Sequence, residues 1–298
     1  MYPSLIRYET VAKQHPEVRM SKIGFRVLGP LHVCNEDRCL HLKSPRQQVV
    51  LAALLLNANR LVPVESLIKA VWEDGPPEGA RHQIQNCASM LRRRIRDIGV
   101  SEVEIIGYPA GYTMHVSEGR LDATVFDRQV AEARELAAEG RLATAAGRLR
   151  SALSLWLGAP LAGVPGRIMQ QEAARLAERR LSAQEDWIDL EMALGGSAQV
   201  TAELYRLVSE HPFRERLRAQ LMLSLHRSGR TAEALAVYRQ TWQMFADELG
   251  LEPSPVLKGL EVAILRGDPA LWRPPLARDP FDGEARVEYP IGAFGGIA

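Results

Sequence analysis

Residues 25–34 (FRVLGPLHVC) alternate apolar and polar positions around Gly29-Pro30, and a shorter run at 38–42 follows the polar turn Asn35-Glu36-Asp37. Period-two alternation broken by turn residues predicts a small N-terminal hairpin or sheet. Ser44-Pro45 then introduces RQQVVLAALLLNANR, so an N-cap residue and a proline at the first helical position precede an almost wholly apolar run to Asn57. That combination predicts a core helix. An extended piece at 61–64 leads into a second helix at 65–72, which must stop at Glu73-Asp74-Gly75-Pro76-Pro77.

A third helix is expected over 78–98, where Ile84, Ala88, Leu91 and Ile95 recur at the spacing of one buried face. At about 100° per residue, His82, Asn86, Ser89 and Arg93 point directly away from that stripe, flanked by Gln85, Met90 and Arg96. The runs VEII (103–106) and YTMHV (112–116) flank Gly107-Tyr108-Pro109-Ala110-Gly111, which reads as a hairpin with a glycine-bounded tip. N-terminal strands, three helices and a hairpin wing make a winged helix-turn-helix over residues 23–117.

From Leu121 onward helical periodicity dominates, with helices expected at 125–140, 142–156, 167–194, 200–210, 214–228, 231–249 and 256–266. The segments beginning Gly140-Arg141 and Gly229-Arg230 share an alanine five residues after the glycine (Ala145, Ala234) and an arginine ten after it (Arg150, Arg239). Their offset of 89 residues is a weak duplication of helix pairs, which predicts a tetratricopeptide-like all-α domain over 121–270. The chain is therefore mainly α with a small β component. Residues 1–22 carry no sustained periodicity and read as a flexible arm, and 271–298, rich in proline and glycine, as a disordered tail.

Composition narrows the class. At 298 residues, with 46% hydrophobic and 24% charged residues, two globular domains are expected. No apolar run reaches the roughly 18 residues of a membrane span, and the start resembles no secretory signal, so a cytoplasmic protein is expected. Cys34, Cys39 and Cys87 lack the spacing and histidine partners of a zinc site. Cys34 and Cys39 fall on facing strands of the expected hairpin, but a reducing cytosol favours free thiols. No metal or cofactor is expected.

The formal net charge of +1 is unevenly spread: residues 22–117 hold 12 Lys and Arg against 9 Asp and Glu, and everything after 117 holds 22 against 25. The third helix concentrates the excess, with Arg81, Arg92, Arg93, Arg94 and Arg96 and no acidic residue between Gly79 and Asp97. Duplex DNA offers acidic phosphates and, in the major groove, base edges that Arg, Gln, Asn and Ser can read. The outward face thus predicts a reader of double-stranded DNA through Arg81, His82, Gln85, Asn86, Ser89, Arg92, Arg93, Arg94 and Arg96. Arginines in the last turns also complement a helix dipole, a purely structural use of the same residues. Ser44 and Arg46 at the entrance to the first helix, and Tyr108 at the hairpin tip, are candidates for the DNA backbone.

The blocks FRVLGPL, SPRQQVVLAALLLNANR, LVPVESLIKAVWEDGPPEGAR, LRRRI, PAGYTM, RLRSALSLW, LRAQLMLSLHRSGRTAEALAVYR and DELGLEPSP stand in this order over about residues 23–270. In them the chain closely resembles the Streptomyces antibiotic regulatory protein family. The resemblance implies an OmpR-type winged helix followed by a bacterial transcriptional activation domain. It further implies two protomers, head to tail on direct repeats near a promoter's −35 element, that contact RNA polymerase and its sigma factor and switch on secondary-metabolite genes. It also implies a polymerase-contacting loop at Glu73, Asp74, Gly75, Pro76 and Pro77. The chain departs from the family at residues 86–92 (NCASMLR), where a different base preference is expected, and at Gly107-Tyr108, where the family carries Thr-Arg.

An enzyme is not expected, because no P-loop, dinucleotide fingerprint, HExxH, GxSxG or kinase signature occurs. A helical interaction scaffold or a ligand-tuned regulator without activator activity is the alternative, and the scaffold leaves the arginine-rich helix and its hairpin unexplained. A phosphorylated response regulator would place a receiver of about 100 residues or more beside the winged helix, whereas about 22 residues precede it here.

Overall fold

Strand β1 (Phe25–Arg26) turns at Gly29-Pro30 and pairs antiparallel with β2 (His32–Asn35), which pairs in turn with β3 (Arg38–Cys39). A computed structural model of the chain describes residues 24–35, 38–100 and 103–272. The expected arm at 1–22 lies outside the described residues, as does the tail from 273. In the small sheet Phe25, Val27, Leu28 and Val33 face inward and are essentially buried. The register sets Cys34 directly opposite Cys39, with Cα atoms 4.1 Å apart, and the two sulfurs are joined as a disulfide. The expectation of reduced thiols is corrected here: facing positions on an antiparallel pair bring the side chains within bonding reach whatever the compartment favours. Cys87 remains a free, half-buried thiol.

Helix α1 (Pro45–Leu56) takes its first turn from Pro45; the Ser44 hydroxyl makes no cap bond. Strand β4 (Leu61–Pro63) leads into α2 (Val64–Trp72), and α3 (Ala80–Asp97) follows the proline-rich loop. Strands β5 (Val103–Tyr108) and β6 (Gly111–Val116) form the hairpin over the two-residue turn Pro109-Ala110, and β4 joins the other edge of β6. Leu51, Leu54, Leu67, Ile84, Leu91 and Met114 are fully buried between these elements. Gly111 is required where β6 meets β4, since a Cβ there would lie 2.1 Å from the Val62 carbonyl oxygen.

Among the described residues the chain divides into two units, the first taking in residues up to 125 together with 155–176. The first unit is thus larger than the 23–117 segment expected for the winged helix. Residues 155–164 return to the Gly29 turn: Leu157 N–H donates to the Leu28 carbonyl (2.9 Å), Leu161 to Val27 (3.0 Å) and Ala162 to Gly29 (3.3 Å). Asp122 closes the same region. Its carboxylate, 1% exposed, accepts from the backbone N–H groups of Val27 (2.9 Å), Leu28 (3.0 Å) and Ala123 (2.8 Å). Burial pushes its carboxyl pKa upward, while these donors and the Arg26 charge oppose the shift.

The second unit, residues 126–154 and 177 onward, is helical. The helices are α4 (Asp122–Ala138), α5 (Leu142–Leu153), α6 (Arg167–Ala193), α7 (Ser197–Glu210), α8 (Glu215–Arg227), α9 (Thr231–Leu249) and α10 (Pro255–Arg266), with the unit boundaries falling inside α4 and α6. The sequence duplication becomes a shared helix ending. Gly140 (φ 78°) and Gly229 (φ 77°) are both left-handed, and the next residue reaches back: Arg141 N–H to Leu136 and Arg230 N–H to Leu225, each 2.9 Å. This is the Schellman arrangement, and Gly195-Gly196 repeats it between α6 and α7. Ala145 and Ala234, five residues past each glycine, are fully buried, as close helix pairing requires. Helix α5 ends three residues before the expected Trp156, because the chain leaves there for the first unit. Of the stretch expected to be disordered, Leu271 and Trp272 are described; they end a 3₁₀ turn (Pro269–Trp272) and Leu271 is buried, which corrects the expectation at these two positions.

Asp122→Ala leaves three buried backbone donors, those of Val27, Leu28 and Ala123, without this acceptor and is expected to cost about 3 kcal/mol in the first unit. Hydrogen exchange at the Val27 and Leu28 amides reads this directly; unchanged protection would remove Asp122 as the clasp. Gly111→Ala is expected to lower the unfolding midpoint of the same unit, by about 1 to 3 kcal/mol.

Candidate nucleic-acid interface

Helix α3 buries Ala80, Ile84, Ala88, Leu91 and Ile95, which leaves an opposite arc for solvent. On that arc His82, Gln85, Asn86, Ser89, Arg93 and Arg96 are exposed, and none of their side chains is bonded to another described residue. Six donor-bearing side chains with no carboxylate among them make a face suited to acidic phosphates and base acceptors.

The other arginines of α3 are engaged at its edges. Arg81 pairs with Glu65 of α2, both well exposed, a contact that water largely screens. Arg92 turns toward the hairpin: its Nε donates to the Ile105 carbonyl (2.6 Å) and its guanidinium lies 5.9 Å from the Tyr112 ring centroid. Gly107 leaves the room this needs, because a Cβ there would lie 3.2 Å from the guanidinium. Arg94 turns to the opposite flank and donates to the His41 carbonyl (3.3 Å). Residues on either side of Arg93 are rotated about 100° from it, so a run of three arginines divides into one outward cation and two braces.

The N-terminal end of α1 lies along the Arg94 flank. Arg46 donates to Gln83 Oε1 (2.6 Å) and sits 5.3 Å from the Trp72 ring centroid. Gln47 is buried, and its amide donates to the Met90 sulfur (3.5 Å). Ser44 is half-buried, and its carbonyl accepts from Gln48 N–H (3.1 Å). On the other flank Tyr108 is 47% exposed at the hairpin tip, and the tip is tied to α2 by Val64 N–H donating to the Ala110 carbonyl (3.1 Å).

Two contributors escaped the sequence reading. Asn35 and Arg38, beside the disulfide, cap the last carbonyls of α3: Asn35 Nδ2 donates to Gly99 (2.9 Å) and Ile98 (3.3 Å), and Arg38 to Asp97 (3.4 Å). Such carbonyls lack partners inside their own helix. Strand-end residues more than 50 positions away carry no periodic signal of this role. Glu73, expected only as part of a loop, has φ 55° and accepts from Arg167 N–H (2.7 Å) at the start of α6, with an ion pair to the Arg167 guanidinium at 3.6 Å. Asp74, Gly75, Pro76 and Pro77 beyond it are exposed. Among the described residues no cluster of His, Cys, Asp and Glu is set to hold a metal, and no helix is long and apolar enough to cross a membrane.

Comparison with known proteins identifies two matching families: "Transcriptional regulatory protein, C terminal" over residues 38–113 and "Bacterial transcriptional activator domain" over 121–265. The regulatory protein AfsR of Streptomyces coelicolor is 41% identical over 256 residues, which are 86% of this chain but 25% of that protein, so the chain spans about a quarter of that relative. The regulatory protein DnrI of Streptomyces peucetius is 37% identical over 83% of this chain and 93% of its own length. The solved structure of Mycobacterium tuberculosis EmbR in complex with a low affinity phosphopeptide is similar with a TM-score of 0.79 at 34% identity, covering 83% of this chain and 66% of that one.

Arg92→Ala is expected to lower the stability of the first unit by about 1 to 2 kcal/mol, since the Ile105 carbonyl loses a charged donor. Arg93→Ala is expected to leave it within about 0.5 kcal/mol of the parent. Chemical denaturation of the two variants side by side checks the division; equal losses would contradict it.

Proposed function

The chain belongs to the Streptomyces antibiotic regulatory protein family of transcriptional regulators, and from that premise we propose that it is a sequence-specific activator of a secondary-metabolite gene cluster, working in the cytoplasm. Like its family it is a regulator and not an enzyme. Helix α3 enters the major groove and the β5–β6 hairpin rests on the phosphate backbone beside it. Two protomers bind head to tail on direct repeats near the −35 element, so that both reader helices meet one side of the duplex. The α2–α3 loop then meets RNA polymerase and its sigma factor.

The observation that carries this reading is the outward arc of α3, where His82, Gln85, Asn86, Ser89, Arg93 and Arg96 have no side-chain partner among the described residues while its neighbouring arginines are used as braces. Donors left free on a helix that is otherwise closely bonded suit a ligand that supplies the acceptors. The loop assignment draws support from Glu73, which anchors the start of the segment to Arg167 and leaves Asp74, Gly75, Pro76 and Pro77 exposed.

Selection of bound fragments from genomic DNA with the purified chain tests the proposal. Direct repeats are expected to enrich. Arg93→Ala and Asn86→Ala are each expected to weaken binding to the selected site by about 1 to 3 kcal/mol if the side chain reads a base. Raising the salt is expected to weaken binding steeply for every variant. No enrichment at low salt, with or without polymerase, would favour a helical interaction scaffold instead.

A further inference from the structure

Met90 is the one large hydrophobic side chain of α3 that is exposed, at 47%. The buried stripe of the helix is complete without it, and it lies on the outward arc one turn from Asn86 and Arg93. An exposed methionine normally samples many rotamers, because three rotatable bonds carry the thioether. Here the sulfur is held: Gln47, only 7% exposed on α1, directs its amide N–H at Met90 Sδ from 3.5 Å. A thioether is a weak acceptor, so the contact turns the sulfur toward α1 and leaves the rest of the side chain outward. The result is an exposed apolar knob set among hydrogen-bonding side chains.

A phosphate offers such a knob nothing, and neither do the acceptor edges of guanine and adenine. The major groove presents one apolar group, the 5-methyl of thymine. We propose that Met90 is a specificity-determining residue that packs on a thymine methyl beside the base read by Asn86 or Arg93, with Gln47 as the residue that positions it. The inference rests on the reading of α3 as a base-reading helix.

The test replaces each thymine of the selected operator, one at a time, with deoxyuridine, which removes the methyl and keeps every hydrogen-bonding edge. Binding is measured for the full chain and for Met90→Ala. Loss of one buried methyl corresponds to about a fourfold weakening. The parent chain is expected to show that loss at one thymine in each half-site, and Met90→Ala is expected to bind the parent operator more weakly and to show no further loss at that thymine. Equal sensitivity to the substitution in both proteins, or no sensitive thymine in the parent, would overturn the role of Met90 while leaving α3 as the reader. Failure to select any operator would overturn both.

Discussion

A helix of this length buries one stripe, and in α3 that stripe is fixed by Ile84, Ala88, Leu91 and Ile95, each no more than 3% exposed. Rotating the helix by a single residue would carry a guanidinium toward the core, which costs several kcal/mol when its charge is left unpaired. The outward direction of His82, Asn86, Ser89 and Arg93 is therefore set by packing rather than by their own contacts. The braces complete the constraint from both sides. Arg92 holds the hairpin, Arg94 holds the loop before α1, and Asn35 with Arg38 closes the helix end.

The first unit is not a contiguous piece of sequence. The two matched families divide the chain at about residue 113 to 121, yet residues 155–164 hydrogen-bond to the Val27–Gly29 backbone and Asp122 supplies acceptors for the same turn. Without these, the donors of Val27, Leu28, Leu157 and Leu161 would be left to water beside a sheet whose strands are only two to four residues long. The Glu73–Arg167 contact extends the same dependence to the α2–α3 loop. A sequence segment matched as a DNA-binding module here draws part of its framework from the segment matched as an activation domain.

Elements with a repeating signal were legible in the sequence. The apolar spacing of α3 gave its buried face, the limits of α9 agree with the expected 231–249, and the paired Gly-Arg segments became two left-handed helix endings with the same reach-back bond. What the sequence did not carry is contact between residues far apart. The division of Arg92, Arg93 and Arg94 depends on what stands at either side of the helix. The disulfide depends on the register in which β2 meets β3, and compartment alone pointed the other way. Asp122 fell just before the helix expected at 125–140 and Glu73 in a loop, and neither was marked out, because a side chain that caps a distant backbone leaves no local pattern.

The outward arc of α3 is the surface proposed to meet base edges. A photo-crosslinking residue placed at Ser89, and separately at the exposed Tyr205 of the helical unit, tests it on the selected operator. Crosslinks are expected from position 89 to bases within each half-site and none from position 205. Binding retained with no crosslink to bases from position 89 would contradict it.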